Sequence, residues 1–139
     1  MIVLDTNILS ELMKPTPDGN VVRWVAAQPA RALYTTSISE AEVHHGIMLL
    51  APGKRRDAIQ AAAEAMFGED FDGRILPFES AAAHSYARIA AQRRRSGHPI
   101  SHFDAQIAAI ADSTGAAIAT RNVTDFDGCG VKVINPWQS

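Results

Sequence analysis

Asp5, Glu42, Asp104 and Asp125 are the residues whose type and placement point to chemistry. Asp5 closes the apolar run Met1 to Leu4, and an acid at the end of a run suited to burial needs a reason, because an ionised carboxylate is costly to take out of water. Glu42 follows the apolar segment Ala32 to Ser37, Asp104 opens a helical segment, and Asp125 follows Ala116 to Thr120. Carboxylates gathered in one crevice repel each other and raise each other's pKa values. A divalent cation offsets that repulsion, and an oxygen-only donor set favours Mg²⁺ or Mn²⁺ over zinc. Each acid also has a plain structural reading. Ser39-Glu40-Ala41-Glu42 and Ser101-His102-Phe103-Asp104 have the spacing of capping boxes, and Thr124-Asp125-Phe126-Asp127-Gly128 is a turn sequence. The functional signal lies in the conjunction of the four and their order along the chain.

The elements that must position these acids follow from periodicity and punctuation. Met1 to Asp5 is too short for a helix and reads as a buried strand. Thr6-Asn7 is an N-cap signal for a helix over Ile8 to Lys14, stopped by Pro15 and Pro17, and Val21 to Val25 mark a second helix ending before Pro29. Ala32 to Ser37 is the second strand. Helices are expected from Ser39 to about Leu50 and from Lys54 to Phe67, followed by a loop from Gly68 to Gly73 and a strand from Arg74 to Phe78. Further helices span Ser80 to Arg95 and Phe103 to Thr114, with strands at Ala116 to Thr120 and Val131 to Ile134. Strands alternating with helices imply right-handed crossovers and a parallel sheet covered on both faces. In such sheets the functional crevice lies beyond the carboxyl ends of the strands, where these acids fall.

Composition bounds the rest. The chain of 139 residues suits one domain, with 47% apolar and 20% charged residues. Its net charge of −2 argues against holding nucleic acid by bulk positive charge. The lone cysteine, Cys129, excludes an internal disulfide and a cysteine-based zinc site. No apolar run approaches the ~18–20 residues of a membrane span. No basic segment precedes the first apolar run, so the expected location is the cytoplasm. The histidines lack zincin spacing and read as surface or packing residues. Trp24, Phe67, Phe78 and Trp137 are assigned to the core or a dimer interface rather than to base stacking.

Several segments together resemble the PIN-domain ribonucleases, specifically VapC toxins of the FitB-like type. They are Ile2-Val3-Leu4-Asp5-Thr6-Asn7-Ile8-Leu9-Ser10-Glu11, Ser39 to Gly46 around Glu42, and Pro99 to Ala109 around Phe103-Asp104-Ala105. Ala119-Thr120-Arg121-Asn122-Val123-Thr124-Asp125-Phe126 and the ending Val133-Ile134-Asn135-Pro136-Trp137 complete the set. The resemblance covers essentially the whole chain. It implies a three-layer α/β/α sandwich with a five-stranded parallel sheet over residues 1–139, and an acidic metal site of Asp5, Glu42, Asp104 and Asp125. Asp5, Asp104 and Asp125 would hold one or two Mg²⁺ or Mn²⁺ ions, and Glu42 would complete the shell or orient the attacking water. Thr6, Asn7, Thr120 and Asn122 match supporting positions. His102-Phe103 before Asp104 departs locally from the small or apolar residues common there. Glu40 lies about 200° around the helix from Glu42, at ~100° per residue, and is not counted as a ligand.

Arg121 is the best placed cation for an RNA phosphate. Lys54 to Arg56 and Arg93 to Arg95 read first as helix-flanking charges. The implied activity is hydrolysis of RNA by a type II toxin. The implied partners are a cognate VapB- or FitA-like antitoxin, a second copy of the chain, and operator DNA reached only through the antitoxin. The competing reading is a catalytically silent PIN-like module that acts only with a DNA-binding partner. Receiver and haloacid-dehalogenase folds are disfavoured, because the first strand ends in Asp5-Thr6-Asn7 rather than in paired acids.

Overall fold

A computed structural model describes residues 1–138. Five strands, β1 (Ile2–Leu4), β2 (Leu33–Thr36), β3 (Ile75–Leu76), β4 (Ala117–Ala119) and β5 (Val133–Ile134), form one sheet in the order β3-β2-β1-β4-β5. All neighbouring pairs are parallel. Six helices connect them: α1 (Thr6–Leu12), α2 (Gly19–Ala27), α3 (Ser37–Met48), α4 (Lys54–Ala65), α5 (Ser80–Arg95) and α6 (His102–Thr114). The winding runs outward from β1 to β3, then returns to the other side of β1 for β4 and β5, so the sheet reverses direction between β1 and β4.

Alternation along the short strands divides the core into two layers. Val3 and Ile118 face α5 and α6, packing with Ile89, Ile107 and Phe126. Leu4 and Ala119 face the other way, into a cluster with Ile8, Leu9, Val43 and Phe67. The result is the expected α/β/α sandwich around a parallel sheet. Helix α6 is buried along most of its length because four of its core residues are alanines, Ala105, Ala108, Ala109 and Ala111. Their small side chains let the helix approach both the sheet and α5. Gly115, at φ +71°, ends α6 in the left-handed conformation that a side chain would disfavour. Among the described residues, no helix is long and apolar enough to cross a membrane.

Three local expectations need correction. Helix α1 starts at Thr6, with Asp5 itself as the cap, rather than at Ile8 behind a Thr6-Asn7 cap. Helix α3 starts at Ser37 and is capped by Thr36, whose hydroxyl accepts from the Ser39 backbone N–H at 3.0 Å. Thr36-x-x-Ser39 has the same spacing as the anticipated Ser39-x-x-Glu42 box, one turn earlier. The chain after α4 also stays helical through a wide turn at Met66–Asp70, where a loop from Gly68 is the sequence expectation. The wider turn allows Met66, Phe67 and Phe71 all to reach the core. The strands are shorter than their apolar runs because the flanking residues are taken by caps and turns.

Candidate active site

Asp5 sits at the carboxyl end of the central strand, and its neighbours follow from the sheet register. Leu4 pairs with Ala119, and the ladder continues with a bond from Asp5 N–H to the Ala119 carbonyl at 2.9 Å, so Thr120 lies opposite Asp5. The Asp5 carboxylate is buried. Its Oδ1 accepts from the Thr6 backbone N–H at 2.8 Å, and its Oδ2 accepts from the Thr120 hydroxyl at 2.8 Å. The Thr120 hydroxyl in turn accepts from Asn7 Nδ2 and the Asn122 N–H, each at 3.1 Å. One donated and two accepted bonds fill the capacity of that hydroxyl. Asn7 completes the staple, because its Oδ1 accepts from the Arg121 N–H at 3.2 Å. The segments 5–7 and 120–122 are therefore fixed against each other.

Glu42 lies in the second turn of α3, not the first, so helix capping does not account for it. Its Oε1 accepts from the Thr6 hydroxyl at 2.8 Å, and that hydroxyl also lies 2.9 Å from the buried Ser39 hydroxyl. Thr6 thus joins Asp5 to Glu42. Asp104 stands in the first turn of α6, where its backbone N–H donates to the Ser101 hydroxyl at 3.2 Å. Asp5, Thr6, Asn7, Glu42, Asp104 and Asn122 all line one open cleft of about 410 Å³.

Asp125 is placed differently. It is exposed, in the short helical turn Val123–Phe126, and is not among the residues lining the cleft. It stays within electrostatic reach of Asp104, which it pushes upward. Asn122, rather than Asp125, presents the β4 side of the cleft.

Burial is the main electrostatic cost at the cleft, ahead of the neighbouring carboxylates. Burial pushes the Asp5 carboxyl up to about 6, opposed by the bonds from Thr120 and Thr6 and reinforced by Asp104 and Glu42. Asp104 is also raised, chiefly by burial and then by Asp125, against the Ser101 hydroxyl and Arg93. As the side chains stand, no group of three or more His, Cys, Asp or Glu among the described residues is arranged to hold a metal ion. The donor chemistry nevertheless fits a hard cation: the acids of the cleft offer only oxygen, and Asp5 Oδ1 and Glu42 Oε1 each keep a lone pair beyond one accepted bond, whereas Asp5 Oδ2 accepts from both Thr120 and Asn7.

A stability prediction follows from Asp5. Its folded pKa lies above its ordinary value of 3.8, so between pH 4 and about 6 the folded state holds the proton more tightly than the unfolded state. Stability therefore falls as pH rises through that window, and above it the full cost applies, of the order of 3 kcal/mol. Urea unfolding of the metal-free protein across this range is expected to show the falling slope, and Asp5→Asn is expected to lose it.

Several residues of the site escape a reading of the sequence. Glu11 is buried at the cleft, held by Lys14 Nζ at 2.9 Å and by the Asp18 N–H at 2.9 Å. Its Glu-x-x-Lys spacing is visible in the sequence. Arg93 is buried, unlike Arg94 and Arg95, and donates to the carbonyls of His98 at 2.7 Å, Asp125 at 2.8 Å and Asp127 at 3.0 Å. The signal for it is the helical stripe Ala82, Ile89, Arg93 on the inner face of α5. Trp137, assigned from sequence to the core or an interface, forms part of the cleft wall.

The parallel sheet that reverses at β1, with acids gathered beyond that point, matches a known domain class. A PIN-domain profile covers residues 2–127. The chain is 42% identical over 138 residues to VapC ribonuclease Y4jK of Sinorhizobium fredii, covering 99% of both chains. It superposes on the structure of FitAcB from Neisseria gonorrhoeae with a TM-score of 0.89 at 34% identity, covering all of both chains. On a structure of FitAB bound to an IR36 DNA fragment the TM-score is 0.92 at 36% identity, covering 99% of this chain and 96% of the other. The chain belongs to the PIN-domain family, within its VapC and FitB toxin group.

Proposed function

We propose that the protein is the ribonuclease toxin of a type II toxin–antitoxin pair, hydrolysing RNA phosphodiester bonds with Mg²⁺ or Mn²⁺. The observation that carries this reading is the buried Asp5 at the reversal point of the sheet, sharing its cleft with Glu42 and Asp104. The full-length similarity to a VapC ribonuclease supports it.

Asp5 and Asp104 would hold the ion from within the cleft, with Asp125 contributing from the rim. A bound Mg²⁺ or Mn²⁺ supplies the Lewis acidity, and the positive charge, that this cluster of carboxylates denies a phosphate. Thr6 occupies Oε1 of Glu42, which leaves Oε2 to accept a proton of the attacking water or to complete the shell. Thr120, Asn7 and Asn122 keep Asp5 in one orientation, so its oxygens need little rearrangement when the ion binds. Arg121 offers guanidinium donors to the RNA backbone at the edge of the same cleft.

The solved complexes of FitAcB, and of FitAB on DNA, support a small antitoxin as the neutralising partner. They also support contact with operator DNA through that partner, and the toxin is proposed to assemble as a homodimer within the complex. The test is incubation of partner-free protein with a mixed RNA pool and Mg²⁺, Mn²⁺ or EDTA. Cleavage is expected with either metal and not with EDTA. A folded, partner-free protein that binds RNA without cutting it under any of these conditions would favour the silent-module reading.

A further inference from the structure

We propose that Trp137 is a positioning residue that holds Arg121 ready for a phosphate of the RNA backbone; the inference rests on the ribonuclease reading above. The Arg121 guanidinium lies over the Trp137 ring, 5.2 Å from its centroid, where both line the acidic cleft. Among the described residues the guanidinium makes no salt bridge and no side-chain hydrogen bond, although Asp5, Glu11, Glu42 and Asp104 share its cleft and its charge reaches Glu11, whose pKa it helps to lower. An arginine free to collapse onto those acids would neutralise them and spend its own donors.

Two features hold it back. Glu11 already accepts from Lys14 and from the Asp18 N–H, one on each oxygen, so it competes weakly for Arg121. The indole face attracts the guanidinium electrostatically, an interaction that does not consume its N–H donors. Both partners are anchored. The Arg121 backbone N–H donates to Asn7 Oδ1 at 3.2 Å, within the same staple that fixes Asp5. Trp137 packs against the core layer of Leu4 and Ile8, its backbone N–H donates to Asn135 Oδ1, and its carbonyl accepts from Asn20 Nδ2, both at 3.0 Å. The C-terminal turn at Pro136–Gln138 thereby becomes part of the site. A guanidinium held over the indole with its donors unspent matches a phosphate oxygen pair, whereas a compact ammonium lacks that fork.

The test is a double-mutant cycle of Trp137→Leu and Arg121→Ala, with Trp137→Phe as the conservative variant. KM and kcat are measured with a short single-stranded RNA, and Kd against salt is measured in the cleavage-silenced Asp104→Asn background. Trp137→Leu is expected to raise KM and Kd about five- to tenfold with little change in kcat. Arg121→Ala is expected to weaken binding and to reduce the salt slope by about 0.7, the contribution of one phosphate contact on a single strand. In the Arg121→Ala background, Trp137→Leu should add little; with Arg121 present, Trp137→Phe should keep most of the affinity that Trp137→Leu loses. A loss of equal size with and without Arg121, or an unchanged salt slope in Arg121→Ala, would overturn the proposal while leaving the nuclease reading intact. Absence of both cleavage and RNA binding in the unsubstituted protein would overturn the two together.

Discussion

Asp104→Asn is expected to lower metal-dependent RNA cleavage by about 10³-fold or more, with the fold unchanged. The substitution is nearly isosteric and removes one negative charge from a cleft that holds too many. The backbone N–H of Asp104 donates to the Ser101 hydroxyl in the α6 cap, a bond that the change does not touch, and the amide oxygen of Asn can still accept from that hydroxyl as the carboxylate does. Asp104 is raised mainly by burial, and its interaction with Asp125 adds to that, so losing the charge relieves the folded protein rather than weakening it. Thermal unfolding without metal should thus be unchanged or slightly later, while the added stability conferred by Mn²⁺ should shrink. Asp5→Asn should be as damaging to cleavage but less clean to interpret. The Thr120 hydroxyl that faces Asp5 already accepts two bonds, so an amide nitrogen at that position would meet it with a surplus donor.

Arg93→Ala is expected to cost about 3 kcal/mol of stability, a fall in Tm of roughly 10 °C, measured by thermal and urea unfolding. One guanidinium satisfies the carbonyls of His98, Asp125 and Asp127 and lies 3.7 Å from the buried Cys129 sulfur. Removing it takes the donor from three part-buried carbonyls at once and leaves the space of a buried side chain unfilled. Arg93→Lys should recover only part of the loss, since a single ammonium does not span three acceptors in a plane. The same bonds tie the turn before α6 to the loop carrying Asp125. Cleavage should therefore fall in both variants, more than any drop in the folded fraction explains.

The sheet was legible because buried parallel strands are written as short apolar runs between helical periods, and Val3-Leu4, Leu33 and Ile118-Ala119 carry that pattern. Asp5 was legible for the opposite reason: a carboxylate is out of place there unless something uses it. Helix starts were harder. Thr36, Ser39 and Glu42 are spaced three apart, so two overlapping capping patterns compete, and only the close of β2 at Thr36 selects the first. That choice turns Glu42 from a capping residue into a cleft residue. On the β4 side Asn122 lines the cleft and Asp125 stands at its rim, a difference set by the turn after β4 that residue type alone does not convey. Arg93 was hidden in a run of three arginines, where the composition says surface and only the helical phase says core. Trp137 depends on the C-terminal turn folding back onto α2 through Asn20, a contact across 117 positions that local pattern does not reveal.

In the proposed reaction the acids at the end of β1 and the start of α6 direct solvent water at an RNA phosphorus with the help of a divalent ion. The most direct measurement is the chemistry of the RNA ends produced in ¹⁸O-labelled water with Mn²⁺, comparing the unsubstituted protein with Asp104→Asn. The expected result is metal-dependent cuts whose new phosphate ends are monoesters carrying solvent oxygen, and none from Asp104→Asn. Cuts that persist in EDTA or in Asp104→Asn, or that leave 2′,3′-cyclic phosphates from attack by the RNA's own 2′-hydroxyl, would contradict it.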